Sequence, residues 1–244
     1  MFEISEKFEY LRDKIEKTLR TTNEIHYVPA KTKPWESKLG GCPYLNSKDD
    51  YPMDVGGYPM MFLAQINFEE MPALNGFPAK GLLQFYIANT DDYGYDEPCK
   101  VVFIENYEKD ETKLLSENPY QAETEENIPY EKECKIIYEQ KEMAATCDED
   151  AFDEMLEEVS EDDENDFYDE FGDGQSRIGG YPCFVQGTTE CYETGEKNVL
   201  LLQLDCDDVS GLMFGDSGNC QFFISENDLL NKNFSDVGYD WACC

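Results

Sequence analysis

Apolar residues recur along this chain with two periods, and each period predicts a different kind of element. Near the N-terminus Ile4, Phe8, Leu11, Ile15 and Leu19 fall three or four residues apart, with Glu, Lys and Arg between them. That spacing predicts an amphipathic helix. Phe152, Met155, Leu156 and Val159 repeat the pattern later in the chain. Elsewhere the period is two. Phe62, Ala64, Ile66 and Phe68 share one face of a predicted strand, and Leu83, Phe85 and Ile87 share a face of another. Such alternation marks a half-buried antiparallel sheet. The opposite face carries Gln65, Gln84, Gln203 and Gln221, beside Leu63, Leu201, Tyr86 and Phe223.

These elements repeat. Residues 37–43 recur as 176–182, residues 61–67 as 199–205, and residues 81–87 as 218–224, at offsets of 139, 138 and 137. Matches in one order at a nearly constant offset indicate a tandem duplication. The same offset pairs residues 100–107 with 237–244 as further strands, and residues 134–139 form an extra strand in the first unit. Each unit reads as a helix, an irregular crossing, a Gly-Gly-x-Pro turn and then strands. The expected fold is therefore α+β, internally duplicated, with two related helix-plus-antiparallel-sheet units about a pseudo-two-fold axis. The first unit spans residues 1–141 and the second 142–244, within one compact domain.

Charge sharpens the picture. The 244 residues include 19 Lys plus Arg, 54 Asp plus Glu and one His, a formal net charge of −35. Aromatic residues make up 14% of the chain, so most of it should fold rather than behave as a disordered acidic tail. This balance argues against direct nucleic-acid binding and against anionic membrane surfaces. The longest apolar run, residues 60–64, is too short to cross a bilayer, and Glu3 and Glu6 stand where a signal peptide needs cations. A cytoplasmic location is expected. Residues 148–173 hold 15 acids and no Lys or Arg. There Asp162, Asp163 and Glu164 are expected in a solvated loop, with Phe167, Tyr168 and Phe171 interleaved. Such runs usually serve solubility, but acids mixed with exposed aromatics also suit docking on a basic partner.

Recognised chemistry is sparse. There is no phosphate-loop motif, no C-x-x-C pair, and His26 is the sole histidine. Neither a metal site nor a cofactor is expected, and no catalytic set is identifiable. The ten cysteines are irregularly spaced, and Cys42, Cys99, Cys134, Cys183, Cys206 and Cys220 sit among apolar or aromatic neighbours as reduced core residues do. Residues 205–216 resemble a calcium loop but place Val209 and Ser210 where a ligand and a glycine belong. Lys38 and Arg177 precede the Gly-Gly turns, which serve either as tight turns or as anion nests. The four glutamines either line a ligand groove between the repeats or pair within the sheets.

Several segments also resemble a known family. Lys38-Leu39-Gly40-Gly41-Cys42-Pro43, Leu63-Ala64-Gln65-Ile66-Asn67, Gly81-Leu82-Leu83-Gln84-Phe85-Tyr86-Ile87, Leu201-Leu202-Gln203-Leu204-Asp205, Met213-Phe214-Gly215-Asp216-Ser217-Gly218 and Tyr239-Asp240-Trp241-Ala242-Cys243-Cys244 are similar to the bacterial YwqG-like family. The resemblance implies a cytosolic α+β protein, in a family formally of unknown function whose genomic company is that of toxin-immunity proteins. It supplies no catalytic residues. The acidic stretch ahead of the second Gly-Gly turn is longer than the family pattern suggests. The resulting expectation is a non-enzymatic interaction protein that docks an acidic surface on a basic, toxin-like protein. The alternative is a small-molecule binder or enzyme using a groove between the repeats.

Overall fold

Thr21, Thr22, Ile25, Tyr27 and Val28 are β-branched or aromatic and favour extended backbone, and the run closes at a proline. Residues Arg20–Pro29 form β1, and β1 pairs along its whole length with β6 (Cys134–Met143), from Arg20 opposite Met143 to Pro29 opposite Cys134. The computed structural model describes every residue except Met1, Asp173 and Cys244, and the side chains of Glu190 and Cys191 are also left aside. The remaining strands are β2 (Lys38–Leu39), β3 (Met61–Asn67), β4 (Leu82–Ile87), β5 (Lys100–Ile104), β7 (Arg177–Gly179), β8 (Val199–Leu204), β9 (Asn219–Ile224) and β10 (Gly238–Ala242). They join one antiparallel sheet of order β10-β9-β8-β7-β1-β6-β2-β3-β4-β5.

The sheet curls into a half-barrel, so the inner faces of its two arms meet. The rings of Phe85 on β4 and Phe222 on β9 lie 4.9 Å apart, although four strands separate β4 from β7 and two more precede β9. Tyr93 packs on Trp241 at 5.1 Å and Phe103 on Phe234 at 5.2 Å, and the Tyr239 hydroxyl donates to the Tyr93 carbonyl at 2.8 Å. One apolar core thus draws on both arms.

This corrects the expected α+β fold of two helix-plus-sheet units. The molecule is one mostly antiparallel sheet, and the reason lies in where the helices go. The N-terminal 3-10 turn Glu6–Leu11 runs into α1 (Arg12–Thr18), and the second stripe forms α3 (Asp150–Leu156). Phe8, Leu11 and Ile15 bury against Phe152, Met155, Val159, Phe167 and Phe171 in a cluster of their own. The two stripes therefore bury each other instead of each covering a sheet. The expected irregular crossing after the first helix is β1, which pairs with β7 on one side and β6 on the other. The acidic stretch expected as a loop contains α4 (Glu164–Phe171). Three further helices, α2 (Gln121–Thr124), α5 (Glu190–Glu193) and α6 (Glu226–Leu230), are single turns in the connections.

The strands at 61–67, 82–87, 199–204 and 219–224 form where expected, but both faces are covered. Every residue of β3, β4 and β9 is buried. A bulge between Phe62 and Ala64 breaks the period, placing Phe62 in an outer cluster with Tyr51, Met60 and Tyr86 while Leu63 joins the inner core. A matching bulge lies between Leu200 and Leu202. The Gly-Gly turns are tight turns: Gly40 and Gly41 have φ of 67° and 72°, and Gly179 and Gly180 have 69° and 73°. A Cβ on Gly40 would sit 2.5 Å from the Tyr130 ring, so both conformation and space demand glycine.

The helical cluster carries a testable load. Phe8 and Phe167 are fully buried with rings 5.1 Å apart in an edge arrangement. Phe8→Ala and Phe167→Ala should each cost about 3–5 kcal/mol in denaturant unfolding. Because the rings touch, the double variant should depart from additivity by roughly 0.5–1.5 kcal/mol; a coupling of zero would show that the N-terminal stripe and α4 do not support each other.

Candidate functional site

The acidic face is built by the same residues that anchor it. Phe167 and Phe171, one turn apart on α4, are buried, and Phe167 packs on Phe152 of α3 at 4.9 Å. They are core residues and offer nothing to a partner. Tyr168 is 42% exposed and lies against Phe152 at 5.1 Å, so one face of its ring remains at the surface. Anchoring the apolar side turns the acids outward. Asp153, Glu154, Glu157, Glu161, Asp162 and Asp169 are all exposed. Among the described residues none of these six has a cation within ion-pair distance. Lys7 engages Asp163 at 2.6 Å and also Asp166, and Lys14 engages Glu158 at 3.1 Å. Lys7 holds the Asp163 carboxyl below its ordinary range, helped by the Ser160 hydroxyl. Glu164 is half-buried in the first turn of α4, where the helix dipole favours an acid. Glu170 accepts the Ser5 amide at 2.8 Å, which ties α4 to the N-terminal turn.

The four glutamines are brought together as two pairs, Gln65 opposite Gln84 and Gln203 opposite Gln221, all at most 2% exposed. Gln65 Oε1 accepts the Tyr44 amide and Gln84 Nε2, each at 2.9 Å, while Gln65 Nε2 donates to the Pro34 and Glu36 carbonyls at 2.8 and 2.9 Å. Gln84 Nε2 also donates to the Tyr44 carbonyl at 3.0 Å, and its Oε1 accepts the Tyr86 hydroxyl at 3.1 Å. The second pair does the same work. Gln203 Oε1 accepts the Cys183 amide at 2.9 Å, Gln203 Nε2 donates to the Gln175 carbonyl at 2.9 Å, and Gln221 Nε2 donates to the Cys183 carbonyl at 3.1 Å. Each pair staples the chain that follows its Gly-Gly turn to the outer face of the sheet. Their amides are consumed by the fold and leave no polar strip for a ligand.

Lys38 and Arg177 belong to these staples. Lys38 is 1% exposed, and its Nζ donates to the Lys33 and Cys42 carbonyls at 2.7 and 2.9 Å. Arg177 Nε and Nη1 donate to the Gln175 and Tyr181 carbonyls at 3.0 and 3.4 Å. Both cations thus hold the third residue of a Gly-Gly-x-Pro turn. His26 lies exposed between Glu24 and Glu139, at 3.5 and 3.4 Å. In the calcium-like segment Asp207 Oδ1 accepts the Ser210 amide and hydroxyl at 2.7 and 2.6 Å, closing its own turn.

Two clefts of about 590 and 610 Å³ open on the surface. Cys42 lines the larger, but burial pushes its thiol up to about 11 and His26 does not line the cleft, so no thiolate–base pair exists there. One arrangement was invisible to sequence spacing. Cys147, Asp148 and Cys183 come together through the second Gly-Gly turn, although 36 residues separate Asp148 from Phe184.

Fold and site thus define a curled antiparallel-sheet protein with an acidic helical ledge. The chain belongs to the family described as a domain of unknown function (DUF1963), whose model matches residues 37–243. The helices at the N-terminus and β1 precede the matched region. A search of the curated proteins finds no match.

The Lys38 cage gives a pH test. Burial lowers its ammonium from 10.5 to about 8. Below pH 8 the folded and unfolded chains both carry this proton and the burial penalty is full. Between pH 8 and 10.5 the unfolded chain binds more protons there, so stability should rise with pH. Measured against Lys38→Met by denaturant unfolding, the wild type should gain roughly 1–3 kcal/mol across that window. A difference that stays flat would contradict the lowered value.

Proposed function

We propose that this protein is a non-enzymatic, cytoplasmic binding protein whose acidic helical ledge docks on a basic protein. The observation that carries this reading is the ledge itself: six exposed acids whose carboxylates pair with no cation among the described residues, held on α3, α4 and their linker by a buried aromatic cluster. Fixed charges of one sign raise the encounter rate with an oppositely charged surface, and rigid presentation avoids the entropy of ordering a loop on contact. Tyr168 supplies an amphipathic contact among the acids, of the type enriched at interfaces. The toxin-immunity association implied by the finer YwqG-like resemblance agrees with a basic partner, and it belongs to this proposal alone. The net charge of −35 disfavours a phosphate backbone as the target. No helix among the described residues is long and apolar enough to cross a membrane. The alternative reading, a ligand groove lined by the four glutamines, loses its basis because those amides are satisfied within the fold.

The test is charge reversal. Glu157→Lys, Glu161→Lys, Asp162→Lys and Asp169→Lys together lie on solvent-facing positions and should leave the unfolding midpoint near that of the wild type. Association with a basic partner recovered at low salt should slow at least tenfold in this variant. The wild-type rate should also fall steeply between about 0.05 and 0.5 M salt as screening shortens. A partner that binds the reversed protein equally well, or whose rate ignores salt, would place the docking surface elsewhere.

A further inference from the structure

Outside the acidic ledge, a cluster of chemically reactive side chains lies beside the second Gly-Gly turn. The thiols of Cys147 and Cys183 and a carboxylate oxygen of Asp148 lie within 4.8 Å of one another, all half-buried. Cys147 Sγ is 3.9 Å from Asp148 Oδ2. We propose that Cys147, Asp148 and Cys183 form a binding site for a thiophilic divalent cation of the zinc type.

The site is positioned before any ion arrives. Two hydrogen bonds bracket it: the Thr146 hydroxyl donates to the Pro182 carbonyl at 2.7 Å, and the Phe184 amide donates to Asp148 Oδ2 at 2.9 Å. The residues flanking both cysteines are thereby tied to one another. Cys183 is fixed again from the sheet, its amide on Gln203 Oε1 at 2.9 Å and its carbonyl on Asn219 Nδ2 and Gln221 Nε2 at 2.9 and 3.1 Å. The glutamine staple therefore also orients a thiol, and the Phe184 amide orients the carboxylate, as outer-shell donors do in metal sites.

The distances suit the ion. With metal–sulfur bonds of about 2.3 Å and metal–oxygen bonds of about 2.0–2.2 Å, tetrahedral ligand atoms stand roughly 3.5–3.8 Å apart. The cluster need contract by only about 1 Å or less to reach that spacing. Two thiolates and one carboxylate leave a fourth position for water, and paired sulfurs select against magnesium and calcium. Binding is a displacement without redox change: two S–H bonds break, two metal–sulfur bonds form, and both protons leave to solvent. The surrounding negative field concentrates cations at the surface.

The other arm shows that the cluster is not a requirement of the fold. There the staple closes on Tyr44, whose amide meets Gln65 as that of Cys183 meets Gln203. A Gly-Gly turn stapled by glutamines thus forms equally well with no thiol at that place.

Cobalt titration of the reduced, metal-free, full-length protein in excess magnesium tests the assignment. One equivalent should bind with a sulfur-to-cobalt charge-transfer band and tetrahedral d–d absorption, two protons should be released, and zinc should displace the cobalt. Cys147→Ser and Cys183→Ser should each abolish the two-sulfur spectrum, and Asp148→Asn should weaken affinity about tenfold or more. Zinc at a hundredfold excess over its dissociation constant should raise the thermal midpoint by roughly 5–10 °C. If a serine variant fails to fold, the wild type answers alone: zinc must protect both Cys147 and Cys183 from alkylation. Absence of the charge-transfer band, its survival in the serine variants, alkylation unchanged by zinc, or uptake that magnesium displaces as adventitious carboxylate binding would each overturn the proposal.

Discussion

The ten-residue ladder between β1 and β6 is the constraint on which the rest of this structure depends. β1 comes from the N-terminal thirty residues and β6 from the middle of the chain, with Arg20 opposite Met143. β1 then pairs with β7 and β6 with β2, so each arm of the sheet is rooted on a strand from elsewhere in the sequence. The ladder makes one sheet from what would otherwise be two four-stranded edges. Its curl brings Phe85 onto Phe222, so the core of each arm is completed by the other. Closing such distant contacts costs loop entropy before burial repays it, and the energy that repays it is the shared apolar interior.

With both faces of the central strands covered, every amide on them must find a partner inside the protein. Gln65, Gln84, Gln203 and Gln221 meet that demand and in doing so pin the Gly-Gly turns, while Lys38 and Arg177 fill the carbonyl cages beneath. Polar residues in a sheet interior invite a functional reading. Here their hydrogen bonds are structural, and the remaining reactive chemistry sits at the margin of one staple. The charge follows the same division of labour: buried residues build the sheet, and 15 of the 54 acids gather in the stretch 148–173 that packs beside it.

Much of the sheet was legible because period-two runs at 62–68 and 83–87 encode strands locally, and the repeat carries them over to 199–204 and 219–224. The Gly-Gly turns were legible for the same reason, since positive φ needs glycine at those positions. What failed was information that no local pattern contains. The stripes Phe8-Leu11-Ile15 and Phe152-Met155 announce a buried face but not what buries it, and the α+β assignment assumed a sheet where each found the other. The stretch around His26 reads equally as strand or loop, because Thr22 and Asn23 are buried along with Ile25 and Tyr27 and blur the alternation of β1. In the acidic stretch the Phe167–Phe171 spacing was itself a helical signal, obscured by the charge around it. Asp162 and its exposed neighbours stand where an acidic surface was expected, whereas Phe167 and Phe171 lie in the core. The Cys147–Cys183 contact exists only through the folded second turn, so no spacing rule applied to it.

If the sheet is one cooperative body, its two arms cannot open independently. Native-state hydrogen exchange, followed at increasing but sub-denaturing denaturant, reads this strand by strand. The amides of β3 and β4 in one arm, of β8 and β9 in the other, and of the β1–β6 ladder should merge onto a single isotherm at the global unfolding free energy. Separate isotherms for the two arms, with one exchanging while the ladder stays protected, would contradict a single sheet rooted on β1 and β6.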